Sequence, residues 1–208
     1  MSMSTVPASS LSTSRPRGLL RAACGLAAVT LLGFGLLYSL AATTLGGVLF
    51  PAQAQGSLIE RDGRIVGSAL VAQPFVDARY FMPRPSAAGY DPMALAGSNQ
   101  ARTNPDLRTA MTTAVDDIAA REGIEARDVP GDLVTRSGSG IDPHISPEAA
   151  RVQIARVART RGLAVADVER LVEAHTAGPQ FGLLGAPRVD VLALNLALDA
   201  QAGGRGAE

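Results

Sequence analysis

The sequence predicts an α+β protein, with one N-terminal transmembrane helix followed by a single helix-rich extracytoplasmic domain that contains a short sheet. Three observations predict this fold class. An uncharged apolar stretch covers residues 22–50, two later segments begin and end with helix-capping residues, and one Asp-Gly pair lies between two short apolar runs. The first pattern is typical of a membrane span, the second of helices and the third of a β-hairpin.

The stretch from Ala22 to Phe50 contains no charged residue. As a helix it would be about 43 Å long, and a hydrocarbon core of about 30 Å needs only about 20 residues. A lone segment in lipid must satisfy its own backbone hydrogen bonds, which a helix does. We therefore predict a cytoplasmic tail over residues 1–18, a transmembrane helix over residues 19–50 and an extracytoplasmic domain over residues 51–208.

The charges beside this stretch predict its orientation. Arg15, Arg17 and Arg21 precede it, and the first acidic residue is Glu60. By the positive-inside rule the N-terminus stays in the cytoplasm and the rest of the chain lies outside. A cleaved signal peptide is the alternative, because residues 52–54 read Ala-Gln-Ala. We favour the retained helix, since the apolar core of a signal peptide has only about 7–15 residues.

The composition of residues 51–208 excludes several classes of function. This part has 16 arginines and no lysine against 19 acidic residues, and its formal charge of −3 gives no electrostatic case for nucleic-acid binding. The one cysteine, Cys24, lies in the apolar stretch, so an intrachain disulfide and a cysteine-based zinc site are excluded. With two histidines in the chain, we predict no metal site.

The predicted domain begins with a hairpin and a long loop. Asp62-Gly63 lies between β-branched, apolar runs and predicts a β-hairpin. Residues 73–105 lack periodicity and contain five prolines and four aromatic residues. A loop of about 30 residues is often a functional surface, and these aromatic residues and arginines suit a partner interface. A packed loop whose aromatic side chains fill the core is equally consistent.

Capping signals predict two helices. Asn104-Pro105-Asp106 begins one that Gly123 ends, and Ser146-Pro147-Glu148 begins another that Gly162 ends. In the second helix the spacing predicts an apolar stripe and four mostly exposed arginines: Ala150, Ile154, Val157 and Ala158, and Arg151, Arg156, Arg159 and Arg161.

Three further elements complete the prediction. The apolar run over residues 132–135 indicates a short strand, and residues 165–175 a helix with Val168, Leu171 and Val172 inward. After a glycine-rich turn over residues 181–185, the Leu and Ala content of residues 189–200 favours a helix over a strand.

The densest group of candidate site residues lies in residues 136–146. Glycine-rich backbone beside Arg136 is typical of an anion-binding nest. The candidates for binding a cofactor are Ser137, Gly138, Ser139, Gly140, Asp142 and His144. The segment lacks the order of a nucleotide-binding P-loop, and the chain has no lysine to meet a phosphate.

A hydrolase would use Ser137 or Ser139 as nucleophile, His144 or His175 as base and Asp142 to orient the base. The G-x-S-x-G pattern of a nucleophile elbow is missing. We therefore predict no catalytic residue, and interpret residues 142–146 as a rigid turn that leads to a helix cap.

Several motifs occur together in a recognisable order. They are Gly67–Gln73, Tyr80–Ser86, Gly97–Asn99, Thr103–Pro105, Asp132–Pro147, Gln153–Ala158, His175–Thr176, Leu183–Val189 and Leu194–Asp199. In this order they resemble the C chain of the bacterial Kdp potassium-transporting ATPase, the KdpC family, over nearly the whole chain after Arg17. The departures are Ser39 where the family often has proline, Ala96 for a usual glycine and Arg136 for a small residue.

The resemblance implies a noncatalytic accessory subunit of an ATP-driven, high-affinity potassium uptake complex in the bacterial plasma (inner) membrane. It implies three partners besides membrane lipid: a P-type ATPase subunit (KdpB), a channel-like potassium-binding subunit (KdpA) and a very small chain (KdpF). It further implies that the chain assists assembly and raises the affinity of KdpB for ATP. ATP is thus a cofactor by resemblance only, with none expected to bind firmly.

The predicted orientation places residues 136–146 away from cytoplasmic ATP. We therefore expect any effect on nucleotide affinity to be transmitted through the membrane helix or the channel-like subunit, by selective binding of one conformational state. Two other functions stay open: a membrane-anchored envelope hydrolase, and a secreted binding module whose mature N-terminus lies near Gln55.

Overall fold

A computed structural model describes residues 16–61 and 63–204. The chain divides into two compact units, with the boundary between Gln55 and Gly56. We describe each unit by itself and refer to the second as the domain.

The first unit is dominated by one long helix, α1, which confirms the predicted apolar helix. It consists of three consecutive segments, Pro16–Ala28, Val29–Tyr38 and Ser39–Leu49. The middle segment has the wider i→i+5 turns of a π-helix. Residues Gly18–Leu49 form a helix that is long and apolar enough to cross a membrane. No residue of its most apolar 18-residue stretch is buried by other parts of the structure. A one-turn helix, α2 (Pro51–Ala54), follows.

The domain begins with the predicted β-hairpin. Strands β1 (Leu58–Arg61) and β2 (Arg64–Ser68) pair antiparallel, with Arg61 opposite Arg64. Gly63 in the turn has a φ of +72°, in the left-handed region that glycine adopts without steric cost. Asp62, the other half of the predicted turn signal, lies outside the described residues.

The predicted loop over residues 73–105 is present as residues 69–104, which we call the long loop. Its described residues contain no regular helix or strand. Its centre is packed: Phe81 is fully buried, and Phe75 lies against the core. Its flanks are exposed, with exposed fractions of 86% for Val76 and 91% for Met93. Features of both interpretations, a packed loop and an exposed surface, therefore occur in different parts of it.

Both capped helices form where the sequence predicts them. The Asn104 side chain accepts a hydrogen bond from the Asp106 N–H (2.9 Å) at the start of α3 (Pro105–Glu122). The Ser146 hydroxyl accepts one from Ala149 N–H (3.0 Å) at the start of α5 (Pro147–Arg161). Both helices end at the predicted glycine, each in the left-handed conformation that favours this residue.

The predicted strand over residues 132–135 is wrong, because Gly131–Val134 forms one helical turn, α4. The Thr135 N–H and hydroxyl both donate to the Gly131 carbonyl, each at 2.8 Å, and close the turn. The turn buries the adjacent side chains of Leu133 and Val134 together, whereas a strand would send them to opposite faces. An apolar run of four residues does not distinguish these two forms.

The C-terminal part of the domain combines a small sheet with two helices. Helix α6 (Val165–Ala174) confirms the prediction, and Val168 and Val172 are buried. Strands β3 (His144–Ile145), β4 (Thr176–Ala177) and β5 (Arg188–Asp190) form an antiparallel sheet in the order β3-β5-β4.

The helix predicted over residues 189–200 is present as α7 (Val191–Gly204), so it begins two residues later than predicted. Val189 belongs instead to the central strand β5, where it is fully buried. The Asp190 carboxylate accepts a hydrogen bond from Ala193 N–H (2.9 Å) and fixes the change from strand to helix.

The hydrophobic core of the domain lies between the helices and the small sheet. Phe81, Ile145, Val157, Val168, Val189, Leu194 and Leu198 are among its most buried side chains. The core therefore joins a residue of the long loop to the sheet and to α5, α6 and α7.

Candidate functional site

The candidate residues 136–146 form a segment that is hydrogen-bonded to the long loop; we call it the Ser-Gly segment. The Ser137 N–H donates to the Pro85 carbonyl (3.1 Å), and the Ser86 hydroxyl donates to the Gly140 carbonyl (2.5 Å). The Ile141 carbonyl accepts a hydrogen bond from Ala72 N–H (2.9 Å). Two irregular segments that are distant in sequence are thus held together mainly through their backbones.

The hydroxyl groups of this segment take part in its own turns. Ser137 Oγ, almost completely buried, accepts from Gly140 N–H at 2.8 Å, and Ser139 Oγ accepts from Ile141 N–H at 3.2 Å. Among the described residues, no hydrogen bond joins either hydroxyl to a histidine. His175 Nδ1 lies 2.8 Å from the Leu171 carbonyl on α6. The contacts are those of a rigid turn.

Asp142 and His144 come together as the sequence suggests, with Arg84 as a third member. Arg84 Nη1 lies 2.9 Å from Asp142 Oδ2, while Asp142 Oδ1 accepts from His144 N–H at 3.0 Å and lies 3.5 Å from His144 Nδ1. The Tyr90 hydroxyl donates to the Arg84 carbonyl (2.9 Å), and burial raises the pKa of Tyr90, so the hydroxyl keeps its proton to a higher pH than an exposed tyrosine does. The group fixes the loop against the segment and does not form a metal cage; none is found among His, Cys, Asp and Glu of the described residues.

We expect Gly140→Ala to destabilise the domain by about 2–4 kcal/mol, because it combines a left-handed backbone with close packing. Gly140 has a φ of +77°, and a Cβ there would lie 2.7 Å from Ala88 Cβ and from the Ala96 carbonyl oxygen. Gly138→Ala is the matched control, since Gly138 has no positive φ and a Cβ there meets nothing within 4 Å. Urea unfolding of the full chain in mild detergent, followed by circular dichroism, measures both. Equal free energies of unfolding for the two variants would contradict this account.

Sequence reasoning missed a buried ion pair between α3 and α5. Arg156 Nε lies 2.9 Å from Glu122 Oε2, and their side chains are 3% and 0% exposed. Arg121 Nε contacts the other Glu122 oxygen at 2.7 Å. The prediction that Arg156 is mostly exposed is therefore wrong. Its spacing offered a signal, because Ala149, Gln153 and Arg156 lie at i, i+4 and i+7 and share one helix face.

Arg156 also holds the long loop. One of its terminal nitrogens donates to the carbonyls of Ala78 (2.5 Å) and Tyr80 (2.9 Å). A second terminal nitrogen donates to the Gln153 side chain (2.8 Å). The charge is thus satisfied on several sides, as a buried guanidinium requires.

Two side-chain amides clamp the centre of the long loop; we call this the amide clamp. Asn195 accepts from the N–H of Phe81 (2.8 Å) and donates to its carbonyl (2.9 Å). Gln153 does the same for Met82, at 2.8 Å and 3.2 Å. Both amides are buried, so they replace the neighbouring strand or water that this extended backbone would otherwise need.

A second cluster fixes the residues just before the clamp. Arg161 Nη2 lies 2.8 Å from Asp199 Oδ1, and Tyr80 donates to the other Asp199 oxygen at 3.1 Å. The Arg161 guanidinium also lies 4.7 Å from the centre of the Tyr80 ring, a cation–π contact. The Arg161 side chain is only 7% exposed, so its predicted exposure is wrong as well. The motif of the long loop, Tyr80–Ser86, therefore meets the motifs Gln153–Ala158 of α5 and Leu194–Asp199 of α7.

Comparison with known proteins agrees with the motifs. The family model described as K+-transporting ATPase, c chain, matches residues 20–200. The potassium-transporting ATPase KdpC subunit of Xanthomonas axonopodis pv. citri is 62% identical over 190 residues, which cover 91% of this chain and 92% of the relative. That of Shewanella putrefaciens is 53% identical over 165 residues, covering 79% and 83%. The chain therefore belongs to the KdpC family, the c chain of the potassium-transporting ATPase.

Proposed function

We propose that this chain is a noncatalytic accessory subunit of an ATP-driven, high-affinity potassium uptake complex, and that it assists assembly and raises the ATP affinity of the ATPase subunit. The observation that carries the proposal is the family match, which covers both the apolar helix and the domain. The family membership makes the chain a subunit with an accessory role in potassium transport; the noncatalytic role and the effect on ATP are our inference.

The proposed partners are the P-type ATPase subunit KdpB, the channel-like subunit KdpA and the small chain KdpF. The exposed apolar surface of α1 supports a contact with these subunits within the membrane, because the chain's own residues bury no part of its most apolar 18-residue stretch. A Cβ placed on Gly33, Gly46 or Gly47 meets nothing within 4 Å, so these glycines leave room for a neighbouring helix to approach closely.

We propose a single-pass topology in the bacterial inner membrane, with residues 1–18 cytoplasmic, residues 19–50 in the membrane and residues 51–208 outside. Arg17 and Arg21 at the start of α1 support this orientation through the positive-inside rule. In this arrangement the candidate residues Ser137 to His144 lie across the membrane from cytoplasmic ATP. Any effect on nucleotide affinity is then an allosteric coupling through the partner subunits.

The assembly proposal is tested by purifying the tagged chain in mild detergent from cells grown at low potassium. We expect a P-type ATPase subunit and a multispanning potassium-binding subunit to co-purify. A second tagged chain that ends at Gln55 retains α1 and lacks the domain. Comparing its co-purifying subunits with those of the intact chain separates membrane contacts from domain contacts. If the intact chain emerges alone while those subunits are expressed, the proposal fails and a hydrolase or a binding module becomes the better interpretation.

The topology is tested with a Ser139→Cys variant on a Cys24→Ala background, which leaves a single thiol in the chain. Ser139 is exposed in the domain. A membrane-impermeant maleimide is expected to label intact cells after outer-membrane permeabilisation. Labelling that requires lysis of the inner membrane would overturn the proposed orientation.

A further inference from the structure

The hairpin between β4 and β5 ends in three exposed large apolar side chains, which we call the apolar tip. Phe181, Leu183 and Leu184 have exposed fractions of 85%, 86% and 62%. Isolated exposed apolar residues are ordinary, but three of them together at the end of one turn form a patch.

The backbone holds this tip in one defined shape. Gln180 and Leu184 exchange two backbone hydrogen bonds, at 2.8 and 2.9 Å, and Gly182 N–H donates to the Pro179 carbonyl (3.0 Å). Phe181 has a φ of +55°, a left-handed conformation that is uncommon and unfavourable for a large aromatic residue. The turn thus presents an aromatic side chain to the outside at a conformational cost.

The tip carries no charge. From Thr176 to Pro187 the sequence contains no acidic or basic residue. Charged side chains line a groove of about 660 Å³ at the base of the hairpin: Glu148 and Arg151 on α5, and Glu169 and Glu173 on α6. Charged groups of both signs thus lie at the base of the hairpin, where the exposed Arg188 follows Pro187, while the tip itself is apolar.

We propose that the apolar tip inserts into the interfacial region of the lipid bilayer that holds α1. This inference rests on the proposed membrane anchoring of the chain. Only residues 50–57 connect α1 to β1, and eight extended residues reach about 30 Å at most. The start of β1 in an anchored chain is therefore tethered within about 30 Å of the end of the membrane helix, and an exposed tip of Phe and Leu side chains on such a domain is suited to lipid.

The shape of the tip favours lipid over a protein partner. A stable protein interface buries about 800 Å² on each side and has a polar rim. A narrow two-stranded turn with three apolar side chains and no charge offers neither. The interfacial region of a bilayer accepts Phe and Leu to a depth of about 5–10 Å without a complementary shape.

The absence of tryptophan from the chain makes the test direct. The full-length Phe181→Trp variant carries one tryptophan and is reconstituted into phosphatidylcholine vesicles, with or without bromine atoms on the acyl chains. We expect brominated lipid to reduce its fluorescence about twofold or more, because acyl-chain bromine quenches only a tryptophan that enters the bilayer and contacts it; the tip is expected to reach a depth of about 5–10 Å. The matched control is Val76→Trp, on the long loop, where Val76 is 86% exposed against 85% for Phe181. Its fluorescence is expected to be unaffected.

Two further variants decide between outcomes. Adding Leu183→Asp to Phe181→Trp is expected to abolish quenching, since a carboxylate opposes insertion.

Leu36→Trp, in α1, reports membrane anchoring separately. If it is quenched while Phe181→Trp is not, the tip proposal is overturned and the anchoring stands; if neither is quenched, the anchoring fails too. If the tip tryptophan becomes shielded only when partner subunits are present, the tip binds protein and the lipid proposal is wrong.

Discussion

Glu122→Ala is expected to destabilise the domain by about 3–5 kcal/mol, because it leaves the Arg156 guanidinium buried without its counter-charge. The Arg156 side chain is 3% exposed and cannot recover its hydration without opening the packing of α3 against α5. The free energy of unfolding is measured by urea titration of the full chain in mild detergent, with the helical circular dichroism signal as readout.

The matched control for this experiment lies on α5, the helix that carries Arg156. Arg151 Nη1 is 3.8 Å from Glu148 Oε1, and both side chains are 67% exposed. Such a surface pair contributes about 0–1 kcal/mol, so Arg151→Ala should change the free energy of unfolding little. A Glu122→Ala variant that unfolds at the same urea concentration as Arg151→Ala would show that the buried pair does not stabilise the domain.

Asn195→Leu is expected to cost about 2–6 kcal/mol, since it removes the partners of both the N–H and the carbonyl of Phe81. Each unsatisfied buried group costs about 1–3 kcal/mol. The loss should also open the centre of the long loop, so trypsin is expected to cut after Arg79, which Tyr80 follows, faster than in the parent chain. Thermal unfolding and timed proteolysis measure the two effects.

Gln201→Leu is the control for the clamp, because it removes an exposed side-chain amide from the same helix α7. It should leave both the melting temperature and the cleavage rate close to those of the parent. Unchanged proteolysis of the Asn195→Leu variant, with a lowered melting temperature, would mean that the amide stabilises the helices without holding the loop.

The parts of the fold that follow from local chemistry could be predicted from the sequence. Helices α3 and α5 begin and end where predicted, because their caps involve neighbours such as Asn104 and Asp106, or Ser146 and Ala149. The hairpin is correct for the same reason. At residues 132–135 the prediction failed, since the choice between a turn and a strand depends on packing against distant core residues.

The candidate site shows the same division. The contact of Asp142 with His144 spans two residues and was foreseeable, whereas Arg84 reaches Asp142 from 58 residues away. Arg156 and Glu122 are 34 residues apart in the chain. A single sequence does not show which distant carboxylate receives a buried arginine, and Arg156 was therefore placed on the wrong side of its helix.

The amide clamp has a consequence for the order in which the domain folds. Phe81 and Asn195 are 114 residues apart, and Met82 and Gln153 are 71 residues apart. Bringing such distant residues together costs loop-closure entropy that is recovered only once both helices are in place. We therefore expect the clamp on the centre of the long loop to be complete only after α7 has formed, when residues synthesised more than a hundred positions later have arrived.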